Sequence, residues 1–176
     1  FSKLLKQKAS HIQSGQHTLE EHYKRIEAIQ FTMNHDDGNM IQDLDKADII
    51  LLGVSRTSKT PTSIYLANRG YKTSNIPLIN ENSIPNFLKK NPKLKCVVGL
   101  TAEVTRLIDV RKNRMTALKE EHGTDYTNIE KIESETKNAK EAFKKYQWPV
   151  IDVTRKSIEE IAASIIKIYE IKNQNA

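Results

Sequence analysis

The pattern of apolar and polar positions along the chain predicts an α/β protein. Four short apolar runs are each bounded by turn or polar residues, which is typical of strands buried on both faces. These runs cover residues 48–53, 75–79, 95–100 and 149–153. Segments with helical spacing lie at 61–68, 84–90, 102–118 and 127–146, and a last one follows Ser157. Strands that alternate with helices indicate a parallel sheet flanked by helices.

One more helix is predicted before the first strand. Thr18 and Glu21 have the spacing of a capping box, so we expect this helix to begin at Thr18, and Gly38 supplies its end. We interpret residues 1–47 as an N-terminal helical segment that ends a longer upstream region, and residues 48–176 as the α/β domain. The apolar positions that indicate the helix are Leu19, Tyr23, Ile26, Ile29 and Met33.

Composition excludes several classes of protein. The single cysteine, Cys96, excludes a disulfide scaffold and a multi-thiolate metal site, and it fits a reducing compartment. No apolar run approaches the roughly 20 residues that a membrane span needs. We therefore expect a cytoplasmic protein with no membrane partner.

The positive charge is concentrated in the middle of the chain. The formal net charge is +6, but residues 53–118 carry twelve lysines and arginines against three acids, whereas residues 31–52 carry one against five. A basic block that starts at one loop favours a local anion site over the evenly basic surface of a nonspecific nucleic-acid binder. Aromatic residues make up 6% of the chain and are not interleaved with basic ones, so we expect no nucleic-acid partner.

The basic block opens with the loop Gly53-Val-Ser-Arg-Thr-Ser-Lys-Thr60, between a predicted strand and a predicted helix. A P-loop has the pattern G-x-x-x-x-G-K-[ST] in the same setting, and here Ser58 replaces its second glycine. Backbone N–H groups of such a loop point toward an anion, Lys59 can neutralise phosphate oxygens, and the Thr60 hydroxyl can reach Mg²⁺ or a phosphate. The alternatives are a polar loop that binds nothing and one that binds only an inorganic anion. The predicted nucleotide- and phosphate-binding residues are Gly53, Val54, Ser55, Arg56, Thr57, Ser58, Lys59 and Thr60.

An acidic turn precedes the basic block. His35, Asp36 and Asp37 stand together at the predicted end of the N-terminal helix. Adjacent carboxylates repel each other, so one of them is suited to bind a cation or to act as a general base toward a hydroxyl. The alternative is a solvated Asx turn that Gly38 closes.

The helix predicted at 102–118 carries several cations. At about 100° per residue, Arg111 falls inside its apolar sector and Arg114 lies at the edge of that sector. A guanidinium in an apolar sector needs an acid or a phosphate, so we expect Arg111 to face a site. The alternative is a side chain that reaches water from the rim of the core.

These segments recur in the same order in one known family. They are Phe31-x-x-x-His35-Asp-Asp-Gly38; Ala47-Asp-Ile-Ile-Leu-Leu-Gly-Val-Ser-Arg-Thr-Ser-Lys-Thr-Pro61 with Tyr65-Leu-Ala67; Val98-Gly-Leu-Thr101 with Arg106-Leu and Ile108-x-x-Arg111-x-x-Arg114; and Trp148-Pro-Val-Ile-Asp-Val-Thr154 with Ser157-Ile-Glu-Glu160. On these motifs the chain, from Leu19 onward, resembles the pyruvate, phosphate dikinase regulatory protein family, which includes the phosphoenolpyruvate synthase regulatory proteins.

The resemblance implies a bifunctional enzyme. As a serine/threonine-protein kinase it would move the β-phosphate of ADP to a threonine beside the catalytic histidine of its target, leaving AMP. As a phosphorylase it would remove that phosphate with inorganic phosphate and release pyrophosphate. The target is either pyruvate, phosphate dikinase or phosphoenolpyruvate synthase.

The resemblance also implies roles for the candidate residues. The loop from Gly53 to Thr60 would bind the ADP diphosphate, with Lys59 stabilising charge on the transferred group. One of Asp36 and Asp37, helped by His35, would act as the base. The acceptor phosphate or phosphothreonine would be held by Arg111 and Arg114.

Two other classes stay open at this point. A non-catalytic ADP or phosphate sensor would bind ADP without forming AMP. An ordinary P-loop NTPase is disfavoured by the missing second glycine and by the lack of a clear Walker B acid, for which Asp152 is a weak candidate. Exposed apolar faces on the terminal helices would allow a homodimer.

Overall fold

The computed structural model describes residues 13–39, 41–118 and 126–175, with side chains from Thr18 onward. Residues 1–12 of the predicted N-terminal segment lie outside the described part of the chain. Within that part, short 3₁₀ helices cover Asp36–Gly38, Ile41–Lys46 and Glu81–Ser83.

The described residues form a four-stranded sheet in the order β2-β1-β3-β4, with every neighbouring pair parallel. Its strands are β1 (Ile49–Gly53), β2 (Thr73–Pro77), β3 (Cys96–Thr101) and β4 (Val150–Asp152). The α-helices are α1 (Gln13–Asn34), α2 (Lys59–Asn68), α3 (Asn86–Lys90), α4 (Val104–Leu118), α5 (Ile129–Lys145) and α6 (Ile158–Gln174). The predicted parallel sheet flanked by helices is confirmed.

The core lies around the two central strands. All five residues of β1 and all six of β3 are buried, as a parallel sheet covered on both faces requires. Helix α2 packs with α6, and α4 packs with α5. Phe143 of α5 lies directly against Gly99 of β3, where an added Cβ would come within 2.7 Å of the aromatic ring.

Strand β2 begins two residues earlier than its apolar run predicted. Its first three residues, Thr73, Ser74 and Asn75, are polar yet at most 1% exposed, and Pro77 is its last residue. The apolar pattern fails here because hydrogen bonds to the preceding elements satisfy the buried polar groups of this strand. For example, the Thr73 N–H donates to the Thr32 hydroxyl of α1 over 3.0 Å.

Helix α1 differs from its prediction in two ways. It extends to the N-terminal side of Thr18, so the expected start at Thr18 is wrong; the Thr-x-x-Glu spacing here lies inside a helix. Its apolar positions mostly face away from the sheet: Tyr23 and Met33 are each 67% exposed, whereas Ala28 and Thr32 are 1% exposed. The helix packs on α2 and β2 through small side chains, which hydrophobic periodicity does not register.

None of the helices in the described ranges is long and apolar enough to cross a membrane.

Candidate functional site

The carboxyl ends of β1 and β3 mark the place where a ligand is expected. From β1 the chain passes to β2 on one side, while β3 lies on the other side, so the two central strands form the topological switch point of the sheet. Loops that leave adjacent strands in opposite directions open a crevice, and open α/β sheets bind their ligands there. The loop that the sequence singled out follows β1 at this crevice.

The loop between β1 and α2 folds tightly against β3. At Gly53 an added Cβ would lie 2.5 Å from the Leu100 carbonyl oxygen and 2.8 Å from Thr57 Oγ1, so a side chain there would force the loop to shift. Arg56 and Ser58 have left-handed backbone, with φ of 69° and 58°. Ser58 occupies the position of the second P-loop glycine. The residue differs from the motif, but its backbone has a conformation that glycine adopts readily.

The first turn of α2 opens toward the same loop. Ser58 is the N-cap residue of α2, but its side chain makes no capping hydrogen bond. The first backbone N–H groups of a helix have no intrahelical partner, and together with the helix dipole they favour an anion. The strand, loop and helix follow one another in the predicted order, and phosphate binding by the loop stays a prediction.

Lys59 is buried at the start of α2, with 5% of its surface exposed. Its Nζ donates to the Val54 carbonyl over 2.8 Å, and that carbonyl also accepts from Thr57 Oγ1 over 2.9 Å. Burial lowers the pKa of Lys59 to about 8, against the opposing field of Asp37 and with a further lowering by Arg111. A lysine held in this way gains strongly from an anion that enters the loop.

The acidic turn meets the loop through Asn75 of β2. Asp36 Oδ1 accepts from the Thr60 hydroxyl over 3.0 Å and from Asn75 Nδ2, and the Asp37 N–H donates to Asn75 Oδ1 over 3.1 Å. The structure thus brings Asp36 and Thr60 into contact and ties Asp37 to the same side chain. Sequence reasoning missed Asn75, because it follows two polar residues and no local pattern sets it apart from them.

His35 is buried within the fold, with 3% exposed. Its ring stacks on Phe31 at a centroid distance of 3.8 Å, and its Nδ1 forms a hydrogen bond with the Phe31 carbonyl at 2.7 Å. Its Nε2 has no hydrogen-bond partner among the described residues. The imidazole thus contacts Phe31 of α1 rather than the aspartates. That His35 helps the base stays a prediction.

Arg111 is buried, as its place in the apolar sector indicated, with 1% exposed. Its Nη2 forms an ion pair with Glu135 at 2.8 Å and donates to the Ser55 carbonyl over 3.4 Å. Its Nη1 donates to the Tyr126 carbonyl over 3.2 Å. Glu135 is therefore the acid that this guanidinium needs. Arg114, in contrast, is exposed. The assignment of both arginines to an acceptor phosphate stays a prediction.

Tyr126 connects this buried arginine to the loop. Its hydroxyl accepts from Arg56 Nε over 3.0 Å and lies 3.2 Å from Ser55 Oγ, and its ring centroid lies 5.0 Å from the Arg111 guanidinium carbon. Burial acts to raise the pKa of the phenol, but bonds with Ser55 and Arg56 and the two arginine charges hold it below its ordinary value. No local pattern in the sequence could have selected Tyr126 or Glu135, since both lie far from the loop along the chain.

The structure gives Asp152 an ordinary strand-end role. Its Oδ1 accepts from the Thr154 N–H over 2.9 Å and from the Thr154 hydroxyl over 2.5 Å, and these bonds lower its pKa. Across the described ranges, no group of three or more His, Cys, Asp or Glu side chains could hold a metal ion. A Mg²⁺ ion that arrived on nucleotide phosphates would need only one or two protein oxygens, which Thr60 and Asp36 offer.

Fold and site together define a class: a parallel α/β protein whose central strand leads through an anion-suited loop into a helix that starts with a buried lysine. Comparison with known families narrows the class. The family model described as kinase/pyrophosphorylase matches residues 1–166. The chain therefore belongs to the kinase/pyrophosphorylase family.

Similar proteins occur in several bacteria. The chain is 75% identical to a protein of Pelagibacter ubique over 99% of its own length, 55% identical to one of Wolbachia pipientis over 85%, and 51% identical to one of Sphingopyxis alaskensis over 97%. Each of these relatives is named "Putative pyruvate, phosphate dikinase regulatory protein". The chain spans 64%, 54% and 63% of their respective lengths.

Proposed function

We propose that this chain carries the active site of a bifunctional regulator of pyruvate, phosphate dikinase. It would phosphorylate a threonine of the dikinase with ADP and remove that phosphate with inorganic phosphate. The observation that carries the proposal is the buried Lys59, which begins α2 directly after the uncapped Ser58 and feels the charges of Asp37 and Asp36 in the acidic turn. The names of the relatives support the dikinase as the target, in preference to phosphoenolpyruvate synthase.

In the kinase direction, the loop from Gly53 to Thr60 holds the ADP diphosphate. The threonine Oγ attacks the β-phosphorus while one of Asp36 and Asp37 accepts the hydroxyl proton. The bond from the β-phosphorus to the bridging oxygen breaks, and AMP leaves with that oxygen and its electron pair. Lys59 and the backbone N–H groups stabilise charge on the transferred group.

In the phosphorylase direction, the same groups act on phosphothreonine. An oxygen of inorganic phosphate attacks the phosphorus of phosphothreonine, the threonine Oγ leaves, and the protonated aspartate returns the proton to it. The product is pyrophosphate. Both directions place a diphosphate in the loop, in the one case as substrate and in the other as product, so one basic loop serves both. Arg114, which is exposed, holds the acceptor phosphate or the phosphothreonine. Arg111, which is paired with Glu135, adds its positive charge through its contact with the Ser55 carbonyl of the loop.

The proposal is tested by incubating the 176-residue chain with pyruvate, phosphate dikinase and either ADP or ATP. We expect mass spectrometry to detect phosphothreonine, and AMP to accumulate, with ADP only. Adding inorganic phosphate to the phosphorylated dikinase should then release pyrophosphate. Saturable ADP binding without AMP would instead indicate a non-catalytic sensor, and equal turnover of ATP with release of phosphate would indicate an ordinary NTPase; either result contradicts the proposal.

A further inference from the structure

The side chain of Asn75 joins the acidic turn to the loop. It is buried in β2, with 1% exposed. Its Nδ2 donates to Asp36 Oδ1 and, over 3.3 Å, to Thr60 Oγ1, while its Oδ1 accepts the Asp37 N–H over 3.1 Å. Because an amide offers both donors and an acceptor, one side chain holds a carboxylate and a backbone N–H together.

These contacts give the two adjacent aspartates different surroundings. Asp36 is partly buried, and one of its carboxylate oxygens takes hydrogen bonds from both Thr60 and Asn75. Asp37 is exposed, and its backbone is left-handed, with φ 51° and ψ 37°. A left-handed aspartate is uncommon and needs support from its surroundings, which the bond from its N–H to Asn75 supplies.

We propose that Asn75 is a positioning residue of the phosphoryl-transfer site. It holds the Asp36 carboxylate against the Thr60 hydroxyl, so that Asp37 is the carboxylate that accepts the proton of the target threonine. The assignment rests on the proposed function. Asp36 is partly buried and is held through Oδ1 by two donors, Thr60 and Asn75, whereas Asp37 is exposed to an incoming threonine. Asn75 thereby separates the roles of two residues that the sequence treats alike.

A purely structural role for Asn75 would have a different consequence. If the amide only stabilised β2, its removal would lower the free energy of unfolding and leave the activity of the folded protein unchanged. Ser74 supplies a matched control on the same strand. It is also 1% exposed, and its Oγ donates to the His35 carbonyl over 3.4 Å rather than to Asp36 or Thr60.

The experiment compares the wild-type chain with Asn75→Ala, Asn75→Asp and Ser74→Ala, at temperatures where each is folded. The measurements are ADP-dependent formation of phosphothreonine on the dikinase and the dissociation constant for ADP. We expect Asn75→Ala to lower kcat by about 10- to 100-fold, the cost of misplacing a reacting group, and to change ADP affinity by less than about three-fold. Ser74→Ala should keep wild-type kcat.

Asn75→Asp adds a signature in its pH dependence. The new carboxylate still accepts the Asp37 N–H, but it faces Asp36 without a proton to donate. Facing carboxylates share a proton more readily as the pH falls. The ratio of Asn75→Asp to wild-type activity should therefore rise from about pH 8 to about pH 6, whereas the ratio for Asn75→Ala should stay flat. The other titratable groups around Asp36 are Lys59 of the loop and His35 and Asp37 of the acidic turn, and all three are present in every variant.

The two aspartates are tested in the same assay. Asp37→Asn should lower transfer at least about ten-fold more than Asp36→Asn, because an amide at position 36 still accepts from Thr60. The role of Asn75 is overturned if Asn75→Ala keeps wild-type kcat, if Asn75→Asp follows the wild-type pH profile, or if Asp36→Asn is the more damaging change. A wild-type chain that forms no phosphothreonine at all would instead contradict the proposed function, and the positioning role with it.

Discussion

The two ends of the parallel sheet bury titratable groups with opposite consequences. At the carboxyl end, Lys59 is buried beside the loop that follows β1, and burial lowers its pKa to about 8. At the amino end, Cys96 lines a cavity of about 290 Å³ together with Trp148 and Ile168 of the neighbouring elements. There burial raises the pKa of the thiol to about 11.

Burial thus makes the amine at one end of the sheet easier to deprotonate and the thiol at the other end harder to deprotonate. A lysine with its pKa near 8 is poised between its charged and neutral states at physiological pH, whereas a thiol with its pKa near 11 stays protonated and inert. At the carboxyl end, charged groups are buried with carbonyl or carboxylate partners, and at the amino end the cavity wall is largely apolar. Buried charge thus distinguishes the end of the sheet that carries the proposed site from the end that carries the cavity.

The largest expected effect comes from removing the buried ammonium at the carboxyl end. Lys59→Met should lower phosphoryl transfer by about 1,000-fold, as loss of a preorganised charge in an active site does. The variant should nevertheless be at least as stable as the wild type, because methionine has no charge to desolvate. Kinetic assays check the loss of transfer, and urea unfolding at neutral pH checks the stability. A variant that is both active and less stable than the wild type would contradict the assignment.

The stability of the wild type should also depend on pH through Lys59. Its pKa is about 8 in the folded chain against an ordinary value of 10.5, so the unfolded chain binds more protons between these values. The free energy of unfolding should therefore rise with pH across that window, by on the order of 3 kcal/mol in total. Lys59→Met should lose this rise, and an unchanged slope in the variant would assign the effect to other groups.

The next effect is on stability and concerns Arg111. Glu135→Gln leaves this guanidinium, 1% exposed, without its carboxylate. Loss of one partner of a buried pair costs about 3 kcal/mol. The control is Glu81→Gln, which breaks the exposed pair with Lys145 and should cost less than about 1 kcal/mol. Equal losses in urea unfolding would show that Arg111 does not depend on Glu135.

A smaller effect concerns the left-handed residues at the two ends. Ser58 at the carboxyl end and Gln147 at the amino end have φ of 58° and 57°. Replacing either by glycine should stabilise the fold by up to about 1 kcal/mol, since glycine meets no Cβ penalty there. ADP affinity should stay within about two-fold in both variants. If Ser58→Gly were destabilising, the hydroxyl rather than the backbone would explain why serine stands at the glycine position.

The smallest effect is expected at Cys96. Cys96→Ser should leave ADP binding and transfer unchanged within about two-fold, because the thiol lies at the end of the sheet away from the loop. In the wild type, a thiol-specific reagent at neutral pH should react on the order of 100-fold more slowly with the folded than with the unfolded chain, in proportion to the thiolate fraction. Rapid labelling that also abolished transfer would break the contrast between the two ends.

Local sequence patterns predicted most of the fold. Strands β1, β3 and β4 each produced an apolar run, and β1 in particular is apolar throughout because both of its faces are covered. The patterns failed where packing uses small or polar side chains. Helix α1 docks through Ala28 and Thr32, so its apolar stripe was a misleading guide to the buried face, and β2 begins with three buried polar residues.

The candidate site was predictable only in its contiguous parts. The loop from Gly53 to Thr60 and the acidic turn each stood out within a few residues of sequence. Asn75 did not, because its role depends on a hydrogen-bond geometry that joins three elements. Glu135 and Tyr126 reach Arg111 and the loop from distant segments, and the burial of Arg111 could be predicted while its partners could not.

Proton uptake on ADP binding tests most directly whether the loop after β1 binds ADP through the buried Lys59. Calorimetry at about pH 8, in buffers of different ionisation enthalpy, measures the protons taken up per ADP bound. Because Lys59 titrates near this pH when unliganded and the diphosphate favours its charged form, we predict uptake of about half a proton in the wild type and none in Lys59→Met. ADP binding without proton uptake, or with equal uptake in both proteins, would contradict the account.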